Sequence, residues 1–320
     1  MAVPSRVATV TFNPAIDQTI TLPLLTRGEV HRARSVRQDP GGKGVNVASC
    51  LADWGVPVTV FGLLGRDNAA PFEALCAAKP IADRFERLPG STRVNIKIVD
   101  EGDTTDINMD GLSVDEADEA RVRGAVEAFA GPDALIVLSG SVPPGVDAGV
   151  YAAMTARLRA LGATVLLDTS GLPLTQALKG EVLPNIIKPN RRELAAWAGE
   201  PLDTIADVVR CGQKLRARGI DLVVVSMGEQ GALFLSDEGA LLAHLPAGEL
   251  ASTVGAGDAM VAGLAAAILE GADLERLARL STAFAVAKLG RPGPHLPNVT
   301  TVHALSEDVT ISLAGATGEV

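Results

Sequence analysis

Apolar residues recur along this chain in short unbroken runs, separated by longer stretches of helical periodicity. Residues 7–12, 58–64, 134–138, 164–167, 186–187 and 222–225 are runs rich in Val, Ile, Leu and Thr. That is the pattern of strands buried on both faces. Between them, residues 45–54, 69–77, 115–130, 148–161 and 205–218 carry helical patterns. Strands alternating with helices imply an α/β fold with a mostly parallel sheet covered on both faces. Residues 259–269 form the longest apolar stretch, interrupted by Gly263. It is too short to span a bilayer and is expected to be a buried helix. Two segments break the alternation. Residues 19–39 are polar and alternating, with Arg32, Arg34 and Arg37. Residues 93–109 set Val94, Ile96 and Ile98 on one face against Arg93, Asn95 and Lys97 on the other. Both are expected to be half-exposed strands of a small separate sheet, either a lid over a site or a decorative hairpin. No linker or low-complexity tract divides the chain, so residues 1–320 are expected to form one domain, with lid segments at about 13–39 and 88–111.

Composition narrows the partners. Of 320 residues 47% are hydrophobic but only 3% aromatic, so the core must be built from Ala, Val, Leu and Ile. The net charge of -10 argues against nucleic acid as a partner. An acidic protein that binds anions must build a local cationic pocket, which makes its Lys and Arg informative. Cys50, Cys76 and Cys211 form no C-x-x-C pair and are odd in number, which points to a reducing, cytoplasmic compartment. The four histidines are scattered and offer no zinc spacing. The start runs into the first strand without a signal-like apolar region, and no membrane partner is expected.

Six segments carry candidate chemistry, nearly all at strand ends, where α/β folds place ligands. In 252–258 (Ser-Thr-Val-Gly-Ala-Gly-Asp), Gly255 and Gly257 allow close approach of backbone N–H groups to a ligand, and Asp258 opens the apolar helix. A Gly-rich helix start holds anionic charge well; an ordinary capped helix has the same look. Gly41-Gly42-Lys43-Gly44-Val45-Asn46 opens another helix with three glycines and one cation, but no Ser or Thr follows the lysine, so it is not a Walker A loop. Lys188-Pro189-Asn190-Arg191-Arg192-Glu193 follows the shortest strand; Asn190 and Glu193 share a helical face and could form a capping box, a site near metal, or both. Ser226 to Gly231, including Gly228, is a Gly-rich turn suited to nucleotide or to a plain hairpin. Asp17, after the first strand, could bind sugar hydroxyls or cap a turn. Ser139, ending another strand, has the same character.

Asn13-Pro14-x-x-Asp17, Gly41-Gly42-Lys43-Gly44-x-Asn46, Lys188-Pro189-Asn190-x-x-Glu193 and Gly255-Ala256-Gly257-Asp258 occur in this order. The set resembles the ribokinase-like sugar kinases of the phosphofructokinase B group over residues 7 to about 288. The resemblance implies a three-layer sandwich with a mostly parallel central sheet and a β-sheet lid that often serves dimerisation. It implies an ATP- and Mg²⁺-dependent kinase with Asp258 as base and Gly255, Ala256 and Gly257 as the anion hole. Asp17, Gly41, Gly42, Lys43 and Asn46 would hold the sugar, together with Ser139. Lys188, Asn190, Ser226, Gly228, Gly231 and Thr253 would serve the nucleotide, and Asn190 and Glu193 would organise the metal. Residues 289–295 depart from the family pattern, which leaves use of a monovalent cation open. The cluster Arg93, Asn95, Lys97 and Lys43 suits a phosphate already on the acceptor. The acceptor expected is therefore a ketohexose phosphate: fructose 1-phosphate first, with tagatose 6-phosphate and fructose 6-phosphate as alternatives. A neutral-sugar or nucleoside kinase and a non-catalytic sugar-phosphate sensor are the rival readings. At a helix N-terminus Asp258 is expected to stay ionised.

Overall fold

The computed structural model describes residues 3–100, 104–247, 255–291 and 293–315. In chain order the first half comprises β1 (Arg6–Thr11), β2 (Ala15–Thr21), β3 (Ser35–Gly41), α1 (Lys43–Asp53), β4 (Val58–Gly65), α2 (Ala70–Ala78), β5 (Ile81–Leu88), β6 (Val94–Val99), β7 (Thr104–Ile107), α3 (Glu116–Phe129) and β8 (Ala134–Ser139). The second half comprises α4 (Val150–Ala160), β9 (Thr164–Asp168), α5 (Gly171–Lys179), β10 (Ile186–Ile187), α6 (Arg191–Ala198), α7 (Ile205–Ala217), β11 (Leu222–Ser226), β12 (Ala232–Ser236), β13 (Gly239–His244), α8 (Ala256–Leu269), α9 (Leu274–Leu289), α10 (Val299–Asp308) and β14 (Thr310–Leu313).

The large sheet has the order β14-β13-β12-β11-β10-β9-β8-β1-β4-β5. The pairs from β5 through to β11 are parallel, and β12, β13 and β14 close one edge as an antiparallel meander. Strand periodicity sends alternate residues to two cores. Val7, Leu135 and Val137 join Val45, Leu51, Phe72, Leu264, Phe284 and Val302 on one face, where α1, α2, α8, α9 and α10 lie. Ala8, Val10, Ile136 and Leu138 join Val126, Tyr151, Leu174, Leu194 and Val208 on the other, under α3 to α7. The result is the ribokinase-like three-layer α/β sandwich expected from the resemblance. β2, β3, β6 and β7 form a second sheet in the order β3-β2-β6-β7, with β2 parallel to β6 and the other pairs antiparallel. Its strands fall within residues 15–41 and 94–107.

The strand order reverses at β1: the chain leaves it for β4 on one side and later returns to β8 on the other. Ligands in open α/β sheets bind beyond the carboxyl ends at such a point. α1 is brought down onto this edge by glycine. A Cβ on Gly44 would stand 2.1 Å from Thr11 Oγ1, so any larger residue would push the helix start away from β1.

Candidate active site

α8 starts from Gly255, whose φ of 83° is open to glycine and strained for other residues. One turn later Asp258 is 8% exposed, and its Oδ2 accepts a hydrogen bond of 2.7 Å from Asn46 Nδ2 on α1. Two helix N-termini therefore meet at one carboxylate. Burial pushes that carboxyl up to about 6, and Asp168 adds to the push, while Lys43, the Asn46 bond and Lys188 pull the other way. Desolvation outweighs the helix terminus in setting this value, and the carboxyl is still mostly ionised at neutral pH.

Beneath it lies a cluster that the sequence motifs did not single out. Asp168, the last residue of β9, is fully buried and bonded at 3.2 Å to both Lys43 Nζ and Lys188 Nζ. Burial alone would raise its carboxyl, but Lys188 and Lys43 hold it below the ordinary range. Burial likewise opposes the charge on Lys43, yet Asp168, Asp258 and Glu193 raise its pKa. Lys188 Nζ stands 3.5 Å from where a Cβ on Gly257 would be, at the expected anion hole. The available signal for Asp168 was a lone acid ending a buried apolar run, Thr164 to Leu167.

Two cavities meet at the start of α8. A narrow one of about 40 Å³ lies under the lid, lined by Asp17, Thr19, Arg37, Asp39, Asn46, Lys97, Gly255 and Lys288 among others. A cleft of about 620 Å³ is lined by Ser226, Gly228 and Gly231 of the β11–β12 turn, by Ala256, Gly257 and Met260, and by Ala285, Val286 and Leu289 of α9. The first is charged and the second largely apolar, as sugar and adenine would require. Gly255 borders one and Gly257 the other, so the carboxylate stands at their partition.

The remaining expected residues divide. Asp17 accepts from Lys97 Nζ at 2.7 Å and from Asn95 Nδ2 at 3.3 Å, at the floor of the lid. Gly41 and Gly42 lead from β3 into α1. The expected convergence of Arg93, Lys97 and Lys43 on one phosphate is not assembled. The Arg93 guanidinium donates to the carbonyls of Pro14, Met109 and Asn13 and ties the lid to the main sheet. Lys43 turns to Asp168, and Lys97 alone of the three lines the narrow cavity. Ser139 is fully buried beside the start of α1, its Oγ 3.1 Å from where a Cβ on Gly44 would stand and without a hydrogen-bond partner among the described residues. Thr253 lies outside the described residues.

Asn190 and Glu193 form a reciprocal capping box on α6: Glu193 N donates to Asn190 Oδ1 at 2.8 Å, and Asn190 N to Glu193 Oε2 at 2.9 Å. Glu193 Oε1 takes no part in the box. Among the described residues no group of three or more His, Cys, Asp and Glu is arranged to hold a metal by itself. The donor set suits Mg²⁺, which keeps much of its water and leans on one or two carboxylates and substrate phosphates.

A three-layer sandwich with a β lid, and a buried carboxylate between a charged cavity and an apolar cleft, defines the class of ribokinase-like carbohydrate kinases. The profile of the pfkB family carbohydrate kinases matches residues 10–301. The 1-phosphofructokinase of Xanthomonas campestris pv. campestris is 50% identical over 286 residues, covering 88% of this chain and 90% of that protein. The 1-phosphofructokinase of Rhodobacter capsulatus is 47% identical over 309 residues, covering 96% and 97%. Among solved structures, phosphofructokinase-2 from Escherichia coli in complex with potassium matches with a TM-score of 0.88 at 28% identity, over 95% of this chain and 98% of that one. The chain belongs to the pfkB family of carbohydrate kinases and is an ATP-dependent sugar-phosphate kinase.

Proposed function

We propose that this protein transfers the γ-phosphoryl group of ATP to the free primary hydroxyl of fructose 1-phosphate, giving fructose 1,6-bisphosphate. The observation that carries the reading is the buried Asp258 carboxylate, held by Asn46 at the partition between the two cavities. The acceptor occupies the lid cavity, where Asp17 and Asn46 meet its hydroxyls, and the nucleotide occupies the cleft beside Ser226, Gly228 and Gly231. Asp258 orients the acceptor hydroxyl and takes its proton. The N–H groups at Gly255, Ala256 and Gly257, with Lys188 behind them, receive the equatorial oxygens of the transferring group. Phosphoryl transfer has a loose transition state, so positioning and charge carry most of the catalysis. Names of the sequence relatives support fructose 1-phosphate over its isomers. A non-catalytic sensor has no use for a carboxylate kept buried at an energetic cost. ADP release with a panel of fructose 1-phosphate, tagatose 6-phosphate, fructose 6-phosphate and fructose tests the assignment. Fructose 1-phosphate is expected to give the highest kcat/KM; preference for another acceptor overturns it.

Glu193, with Asn190, would hold Mg²⁺ through water, and the ion would supply neutralisation of the phosphate charge. Glu193→Gln keeps a side chain that can complete the capping box but removes the charge. The variant should melt within a degree or two of wild type and need severalfold more Mg²⁺ for half-maximal rate. Superimposable Mg²⁺ titrations would reduce Glu193 to a cap.

The protein is further proposed to be a cytoplasmic homodimer joined through the lid. Its three cysteines are unpaired. Leu24, Val30, Val36, Ile107 and Met109 are exposed apolar residues on the lid sheet and its connections, a concentration that a partner lid would cover. Light scattering should return twice the 32.9 kDa chain mass, and Val36→Lys should shift it towards the monomer. A monomeric wild type at micromolar concentration refutes this.

A further inference from the structure

The cations around the narrow cavity are nearly all matched to carboxylates. Lys97 pairs with Asp17 and Arg37 with Asp39, each at 2.7 Å. Lys288 is different. It sits in the last turn of α9, is 3% exposed, and lines the same cavity. Its ammonium donates to the Arg291 carbonyl at 2.8 Å, and among the described residues no carboxylate lies within ion-pair distance. An ammonium has three N–H donors, and among the described residues only the Arg291 carbonyl accepts from it, in a place where water is scarce. Burial lowers its pKa, and nearby Lys97 and Arg37 add to the effect against Cys50 and Asp258. Lys97 and Arg37 are matched by Asp17 and Asp39 on the cavity wall, and Lys288 feels Asp258 from the partition without contacting it, so Lys288 is the lining cation with no carboxylate bonded to it among the described residues.

Lys288 also faces one cavity and not the other. Its Cε and Nζ are 3.4 and 3.9 Å from where a Cβ on Gly255 would stand, on the lid side of the partition. Leu289, the next residue, lines the apolar cleft instead. The end of α9 thus presents a charge to the acceptor side and an apolar surface to the nucleotide side.

We propose that Lys288 is a specificity-determining cation that binds the phosphate already carried by the acceptor, in a cavity whose lining includes neither Arg93 nor Lys43. The inference rests on the reading that the acceptor is a sugar phosphate. A dianion there would accept from the N–H donors of Lys288 not spent among the described residues and be flanked by Lys97 and Arg37. No motif in the sequence marks this lysine, because it follows a run of small apolar helical residues.

The test uses Lys288→Met, which keeps length and bulk, and Lys288→Arg, which keeps the charge. Affinity for fructose 1-phosphate is read without nucleotide by calorimetry, and kcat and KM are read with ATP. Losing a charge-assisted contact should weaken fructose 1-phosphate binding roughly tenfold to hundredfold in Lys288→Met. KM for ATP should move less than about twofold, Lys288→Arg should recover part of the loss, and the preference for fructose 1-phosphate over fructose should fall. Unchanged affinity overturns the proposal, as does a lower kcat with unchanged affinity, which would assign Lys288 to the phosphoryl group in flight. A wild type that turns over no fructose 1-phosphate defeats the functional reading itself. A wild type that does so, beside an unaffected Lys288→Met, defeats this inference alone.

Discussion

Asp258→Asn should give a protein that turns over at least ~10³-fold more slowly than wild type and melts at a higher temperature. The two effects have one cause. Burial holds the Asp258 carboxyl at about 6, where a free aspartic side chain lies at 3.8. A gap of that size means that ionising the group in the folded protein costs about 3 kcal/mol at neutral pH. Because the folded value lies above the unfolded one, this cost is absent below about pH 4, grows through about 6 and is complete above it. Replacing the acid with an amide removes the cost, so the Tm gain should be roughly 5 °C at pH 7.5 and should fade towards pH 4. Wild-type kcat/KM, which reports the free enzyme, should fall on the acid side with an apparent pKa near 6. The second ionisation of the sugar phosphate lies in the same range, so a second variant separates them. Asn46→Ala removes the 2.7 Å bond that favours the carboxylate and should move the limb upward by about one pH unit. An ionisation belonging to the substrate would stay where it was. Near-wild-type turnover in Asp258→Asn would falsify the base assignment.

Much of the scaffold was legible because burial on both faces leaves a plain mark. The run at 186–187 is the strand Ile186–Ile187, and the run at 222–225 lies within Leu222–Ser226. The lid strands were legible from their alternation. β5 was missed because Ile81–Leu88 is an edge strand that mixes charged positions with apolar ones. α9 was missed although Asp273 caps it by accepting from Arg276 N, since its long apolar face invites no motif. At the site, residues in Gly-rich helix starts could be found, because glycine marks close approach. Pairings between distant segments could not. Nothing in the local sequence says that Lys43 turns to Asp168, 125 residues away, or that Arg93 spends its donors on carbonyls. Those choices are made by three-dimensional proximity and by the need to neutralise buried charge.

The second large effect is expected at Asp168, which touches neither cavity. Its carboxylate is the shared counter-ion of Lys43 and Lys188; Asp168 and Lys188 are held where solvent cannot compensate a lost partner, while the Lys43 side chain is one-third exposed. In Asp168→Asn two ammonium groups would face each other across a neutral amide. Breaking a buried pair in this way costs about 3–5 kcal/mol, so Tm should drop by roughly 10 °C. One lysine can relieve the strain by losing its proton, and the deficit should therefore narrow as the pH is raised towards 9–10. Catalysis should suffer separately. Lys188 is aimed at Gly257 and Lys43 lies between Asp168 and Asp258; displacing either by about 1 Å should lower kcat/KM at least ~10²-fold. A double variant, Asp168→Asn with Lys188→Met, tells the two roles apart. It removes the unpaired charge along with its partner, so most of the lost Tm should return, whereas the rate should stay low because the cation behind the anion hole is gone. A double variant that recovers both stability and rate would reduce the cluster to a structural ion pair, and a single variant that melts like wild type would show that Asp168 is not the charge that holds these lysines in place.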